Sequence, residues 1–126
     1  MINIEELMIN DWICLDGDTE YSSPMQVQQI RCGEIVADLD VYTDEDIHPI
    51  PLSDDVFKYN DFQYEYNSRY YHTWWLGTDE GYIGICVDDQ FYVEGTNVYI
   101  RYVHELQHLM RIFIPGKKIM LPCKNT

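Results

Sequence analysis

The segment His104-Glu105-Leu106-Gln107-His108 fits H-E-x-x-H, in which two histidines one helical turn apart bind zinc and the glutamate activates water. A zinc hydrolase built on it would use His104 and His108 as ligands and Glu105 as catalytic base. The pattern needs a helix, and residues 102–113 supply one. Tyr102, Val103, Leu106, Leu109, Met110 and Phe113 recur on one side at about 100° per residue, and Pro115-Gly116 follows as a stop. A third ligand is harder to find. Residues 109–126 contain no His, Asp or Glu, and the extended zincin pattern would need Gly at Arg111 and His at Ile114. His48, His72 or Asp88 would have to complete the set, and no spacing recommends one of them. On a helical wheel His104 and His108 occupy the middle of the polar face beside Arg101, Gln107 and Arg111, whose guanidinium groups oppose a dication. Both imidazoles are therefore expected to face water, with no cofactor; zinc is the alternative.

Other constellations are less specific. Tyr70, Tyr71, Trp74 and Trp75 form an aromatic band able to stack a flat ligand, with Arg101 or Arg111 to meet a phosphate. That gives a third reading, sequestration of a nucleotide-like molecule, although core packing or a protein contact suits the band better. Asp44-Glu45-Asp46 lacks the glycine and final glutamate of a calcium loop and reads as a solvated acidic turn. Glycine-rich phosphate loops and the serine nucleophile elbow do not occur. Cys14, Cys32, Cys86 and Cys123 form no C-x-x-C pair, and Cys14 and Cys86 fall inside apolar strand patterns as small core residues.

Charge narrows the partners. The 126 residues carry 22 acids against 8 Lys and Arg, a net charge of -14. Residues 1–66 hold 16 acids and 2 bases, and residues 67–126 hold 6 of each, so the whole imbalance lies in the first half. Such a surface repels duplex phosphate and attracts a basic protein. No apolar run is long enough to span a membrane, and no basic-then-apolar leader opens the chain, so a cytoplasmic address is expected.

The supporting elements are mostly strands. Residues 12–15 read as a strand ending at Asp16-Gly17-Asp18, after a short turn over residues 4–9. Residues 25–30 alternate, with Met25, Val27 and Gln29 on one side, and residues 34–42 alternate as a single strand. Together they predict a small curved antiparallel sheet or barrel. Ile47-His48-Pro49-Ile50-Pro51-Leu52 must be an extended connector, because each proline bars its predecessor from the helical region. Ser53, Asp54 and Asp55 then open a short helix over 54–60. From Phe62 to Ile100 the chain reads as an antiparallel meander turning at Asn67-Ser68, at 77–81, at Asp88-Asp89 and at Gly95-Thr96-Asn97. Residues 117–121 are expected to return as a closing strand.

Three stretches carry a resemblance: Ile9-Asn10-Asp11-Trp12-Ile13, the run from Ile47 through Pro49-Ile50-Pro51-Leu52 to Asn60-Asp61-Phe62, and Tyr102-Val103-His104-Glu105-Leu106-Gln107-His108-Leu109. In this order they resemble a family of small uncharacterised proteins of prophages, phages and mobile elements of gut anaerobic bacteria. Its themes are I-x-N-W-V, I-x-P-I-P-L-T followed by N-G-F, and Y-V-H-x-L-Q-N. The chain departs from these at Asp61, where the family has Gly, and at His108, where it has Asn, which makes the second histidine a local variant. The resemblance implies an accessory gene with a binding or anti-defence role and brings no activity with it.

The sequence thus predicts one α+β domain: a β-rich acidic part over 1–46, a proline connector and short helix over 47–61, then strands and the helix 102–113 over 62–126. The expected function is non-catalytic binding or inhibition of a basic protein surface through the acidic N-terminal half. Candidate binding residues are Arg101, Arg111, Tyr70, Tyr71, Trp74, Trp75, Asp44, Glu45 and Asp46.

Overall fold

The computed structural model describes residues 7–15, 24–31, 33–43, 45–79 and 81–122. The turns expected at 4–9 and 16–18 fall largely or wholly outside them, as do Cys32, Asp44 and Cys123. Chain contacts divide into two compact units, Met1–Pro51 with Tyr102–His104, and Leu52–Arg101 with Glu105–Thr126. The first division falls within the proline connector.

The first unit is an antiparallel sheet of β1 (Trp12–Cys14), β2 (Pro24–Arg31), β3 (Glu34–Ala37), β4 (Asp40–Tyr42) and β5 (His48–Pro49), in the order β4-β3-β2-β1-β5. It is open, not closed into the barrel that the sequence allowed. Alternation works as expected at its centre, where Ile13, Met25, Val27, Ile35, Ala37 and Ile47 bury together with Leu7 and Tyr42 packs against them. A bulge between Val27 and Gln29 breaks the phase of β2, so Gln29 turns to solvent instead of continuing the buried row.

The expected single strand over 34–42 is a hairpin. Asp38 and Leu39 both have positive φ, 50° and 66°, and form a two-residue turn whose twist suits adjacent strands. Uninterrupted alternation concealed it because neither residue is glycine. Ala37 pairs with Asp40 and Val36 with Val41, so Val41 shares the outer face and Leu39, 89% exposed, sits at the tip.

The second unit begins with α1 (Asp54–Tyr59) and continues as the meander β6 (Gln63–Ser68), β7 (Tyr71–Thr78), β8 (Gly81–Val87), β9 (Phe91–Val93) and β10 (Tyr99–Ile100). The first hairpin turns at Arg69-Tyr70, two residues beyond Asn67-Ser68, because a bulge between Tyr66 and Ser68 lengthens β6. Phe57 of α1 stacks on Trp74 (6.1 Å between centroids) and Phe91 (5.7 Å) and meets Phe62 edge-on. Asp54 Oδ1 accepts a hydrogen bond from Trp74 Nε1 at 3.0 Å and pairs with His72 Nε2 at 3.2 Å, tying the helix start to the sheet.

Residues 117–121 form no strand. The buried Asn60 holds this segment instead: its Oδ1 accepts from the Met120 N–H at 2.7 Å, and its Nδ2 donates to the carbonyls of Met120 and Val56. Helix α2 (Val103–Phe113) forms where the apolar period placed it. None of the described helices is long and apolar enough to cross a membrane.

Gly81 marks a close approach at the end of α2. Its φ is +156°, and a Cβ there would strike the carbonyl oxygen of Phe113. Gly81→Ala is therefore expected to destabilise the protein by about 3 kcal/mol, read as a lower urea midpoint with an unchanged slope.

Candidate functional site

The first turn of α2 departs from the helical wheel. Tyr102–His104 belongs with the first unit, where Tyr102 bridges to Pro51 and the Val103 N–H donates to the Ile50 carbonyl at 2.8 Å. His104 is 1% exposed and stacks on the Tyr102 ring at 5.8 Å, 6° from parallel. The expectation that both imidazoles face water thus fails at His104, and Gln107 is buried as well; His108 is half-buried. A wheel assigns one burying side to a helix, whereas this helix is also enclosed over the turn that starts it.

Glu105 acts on the backbone. Its Oε1 accepts the Arg101 N–H at 2.7 Å, the reach-back of a capping carboxylate at the start of a helix. Among the described residues no group of three or more His, Cys, Asp or Glu side chains is placed to hold a metal ion. Arg101 precedes α2 and Arg111 lies in its third turn, about 12 Å further along from the start of the helix. Asp46 Oδ2 accepts from the Thr43 N–H and hydroxyl, closing the acidic turn that also carries the exposed Glu45.

The aromatic band splits. Tyr70 lies in the β6–β7 turn, where Arg69 covers its ring at 5.0 Å. Consecutive strand residues point to opposite faces, so Trp74 joins the core against Phe57 while Trp75 stands on the outer face. Register carries that outer face across the sheet. One row runs Glu65, Thr73, Cys86, Tyr92, Tyr99, and the next runs Gln63, Trp75, Gly84.

The outer face is a floor of small residues between two groups of rings. Thr73, Cys86 and Gly84 are buried in the middle. On one side Tyr92 and Tyr99 lie 5.6 Å apart, with Tyr71 beside Tyr92. On the other, Trp75 and Tyr82 lie 6.2 Å apart. Trp75 lies over Gly84, where a Cβ would come within 2.5 Å of its six-membered ring, and its Nε1 donates to Glu65 at 2.6 Å. Tyr82 is 68% exposed and Tyr99 54%.

Burial, then the neighbouring Cys86 and Asp88, raise the pKa of the Tyr92 phenol above its ordinary value. Sequence reasoning singled out Tyr71 and Trp75 and missed Tyr82, Tyr92, Tyr99 and Glu65. The available signal was a glycine in mid-strand at Gly84, which marks a close approach to the sheet. No family model, curated protein or solved structure matches the chain.

Two outcomes follow. Glu105→Ala should cost about 1 kcal/mol in chemical denaturation, whereas Glu105→Gln, which retains an acceptor oxygen, should cost much less. Because folding raises the pKa of Tyr92, its contribution to stability is complete below the unfolded value near 10.0 and is lost as pH rises through the folded value. Tyr92→Phe should remove part of the alkaline loss of stability seen in a series of urea melts above pH 10.

Proposed function

We propose that this protein is a non-catalytic binding protein that holds a basic protein surface against the outer face of its C-terminal sheet. The observation that carries the reading is that half-buried rings of that face, beside the exposed Tyr82 and Tyr99, have carboxylates for neighbours. Glu65 is bonded to Trp75, and Asp88 is near enough to Tyr92 to influence its titration. Between residues 63 and 100 the sequence holds six carboxylates and one cation, Arg69, within a chain of net charge -14.

Lysine and arginine suit both components. Their cations are attracted to ring faces and carboxylates, and their long apolar stems cover aromatic surface. The same charge opposes a phosphate backbone. The first unit, taken by itself, is acidic as well: Asp38, Asp40 and Asp46 lie near enough to Tyr42 to help raise its pKa, after the larger effect of burial. The resemblance to phage and mobile-element proteins fits a role in which such binding inhibits a host protein.

Binding to immobilised polylysine should weaken by about tenfold or more between low and high salt, with no comparable binding to polyglutamate. Tyr99→Ala should weaken it about threefold at fixed salt. Salt-insensitive association, or equal binding to both polymers, would count against the reading.

A further inference from the structure

The two groups of rings on the outer face are not equivalent. Tyr71, Tyr92 and Tyr99 spread over the sheet, whereas Trp75 and Tyr82 border a groove of about 410 Å³ whose lining also includes Gly84, Glu94, Ile112 and Phe113. That volume lies at the small end of ligand clefts, roughly 300–1,000 Å³. We propose that this groove takes a single arginine side chain of the basic segment, a step that rests on the function proposed above.

The Trp75 indole is the fixed part of the groove. Gly84 lets Trp75 lie close to the sheet, and the 2.6 Å bond to Glu65 fixes its rotation, so one ring face is set in advance as a flat wall. Tyr82, 6.2 Å away and tilted 36° from it, is a second wall. A planar guanidinium stacks on such walls, whereas an ammonium is compact and retains its water more strongly. Glu94 is among the lining residues, and a carboxylate is the partner that suits the fork of N–H donors at the end of the side chain.

The last turn of α2 supplies the remaining surface. Ile112 is 72% exposed, a large apolar side chain at the end of an otherwise amphipathic helix, and Phe113 lies next to it. Both line the groove and can cover the methylene stem of an arginine. Among the described lining residues none is cationic, so nothing there competes for Glu94. A neutral apolar occupant would leave the carboxylate unused, and an anion would be repelled by it.

The test uses the full chain with fluorescein-labelled hexa-arginine, hexa-lysine and hexa-citrulline at one fixed salt concentration. Hexa-arginine should bind about fivefold or more tightly than hexa-lysine, and the neutral citrulline peptide should bind far more weakly than either. Tyr82→Ala and Glu94→Gln, both at exposed positions, should each reduce the arginine preference to about twofold or less, and Tyr82→Phe should preserve it. Circular dichroism and thermal melts confirm that each variant folds. Equal affinity for the two cationic peptides, or a preference that survives both Tyr82→Ala and Glu94→Gln, would overturn the arginine groove while leaving the general attraction to basic surfaces standing. Failure to bind any cationic peptide would overturn both.

Discussion

The pleat of β7 forces Trp74 and Trp75 to opposite faces of one sheet, and both halves of the second unit follow from that separation. Inward, Trp74 meets Phe57 and donates to Asp54, so a single indole joins the short helix to the sheet by stacking and by hydrogen bonding. Outward, Trp75 cannot add to the core. It settles over Gly84 and bonds to Glu65, so its indole becomes part of the surface. A one-residue slip of register would exchange these roles, leaving Trp74 exposed and placing Trp75 where Phe57 packs. The antiparallel pairing of seven residue pairs between β7 and β8 stands against that slip.

Near each terminus of the second unit a short polar side chain adds hydrogen bonds to those of the backbone. Ser53 makes no side-chain cap for α1, and Asp54 in the first turn is bonded instead to Trp74 and His72 across the sheet. Asn60 serves the other end of α1 and also holds Met120, replacing the ladder that a closing strand would have formed. A strand over 117–121 would have needed a sheet edge to pair with; two hydrogen bonds from one buried amide side chain secure the segment without one.

Elements governed by a single local rule were legible in the sequence. The meander, α1 and α2 lie close to where period and punctuation placed them, since alternation, an acidic first turn and Pro115-Gly116 each act over a few residues. Elements that depend on backbone conformation or on a second packing partner were not. Asp38-Leu39 adopts a turn usually signalled by Asn or Gly, so alternation alone made one strand of two. His104 belongs to the polar arc of the wheel, yet it is buried against the Tyr102 ring at the start of α2, where Tyr102 and Val103 are tied to Pro51 and Ile50.

The site illustrates the same boundary. Four neighbouring aromatics drew attention because they cluster in sequence, yet register disperses Tyr70, Tyr71, Trp74 and Trp75 between a turn, the outer face and the core. The rings that gather on the outer face come from β7, β8, β9 and β10, and no local window contains them. What brings them together is register, which the pairings of β7 with β8, β8 with β9 and β9 with β10 carry without a shift. In the H-E-x-x-H segment the spacing is correct for a helix, and the three side chains meet different surroundings. His104 packs on Tyr102, Glu105 receives the Arg101 N–H, and His108 stays half-buried. Three matching letters specify a periodicity. Convergence of their side chains is a further property, and it depends on what surrounds each turn of the helix.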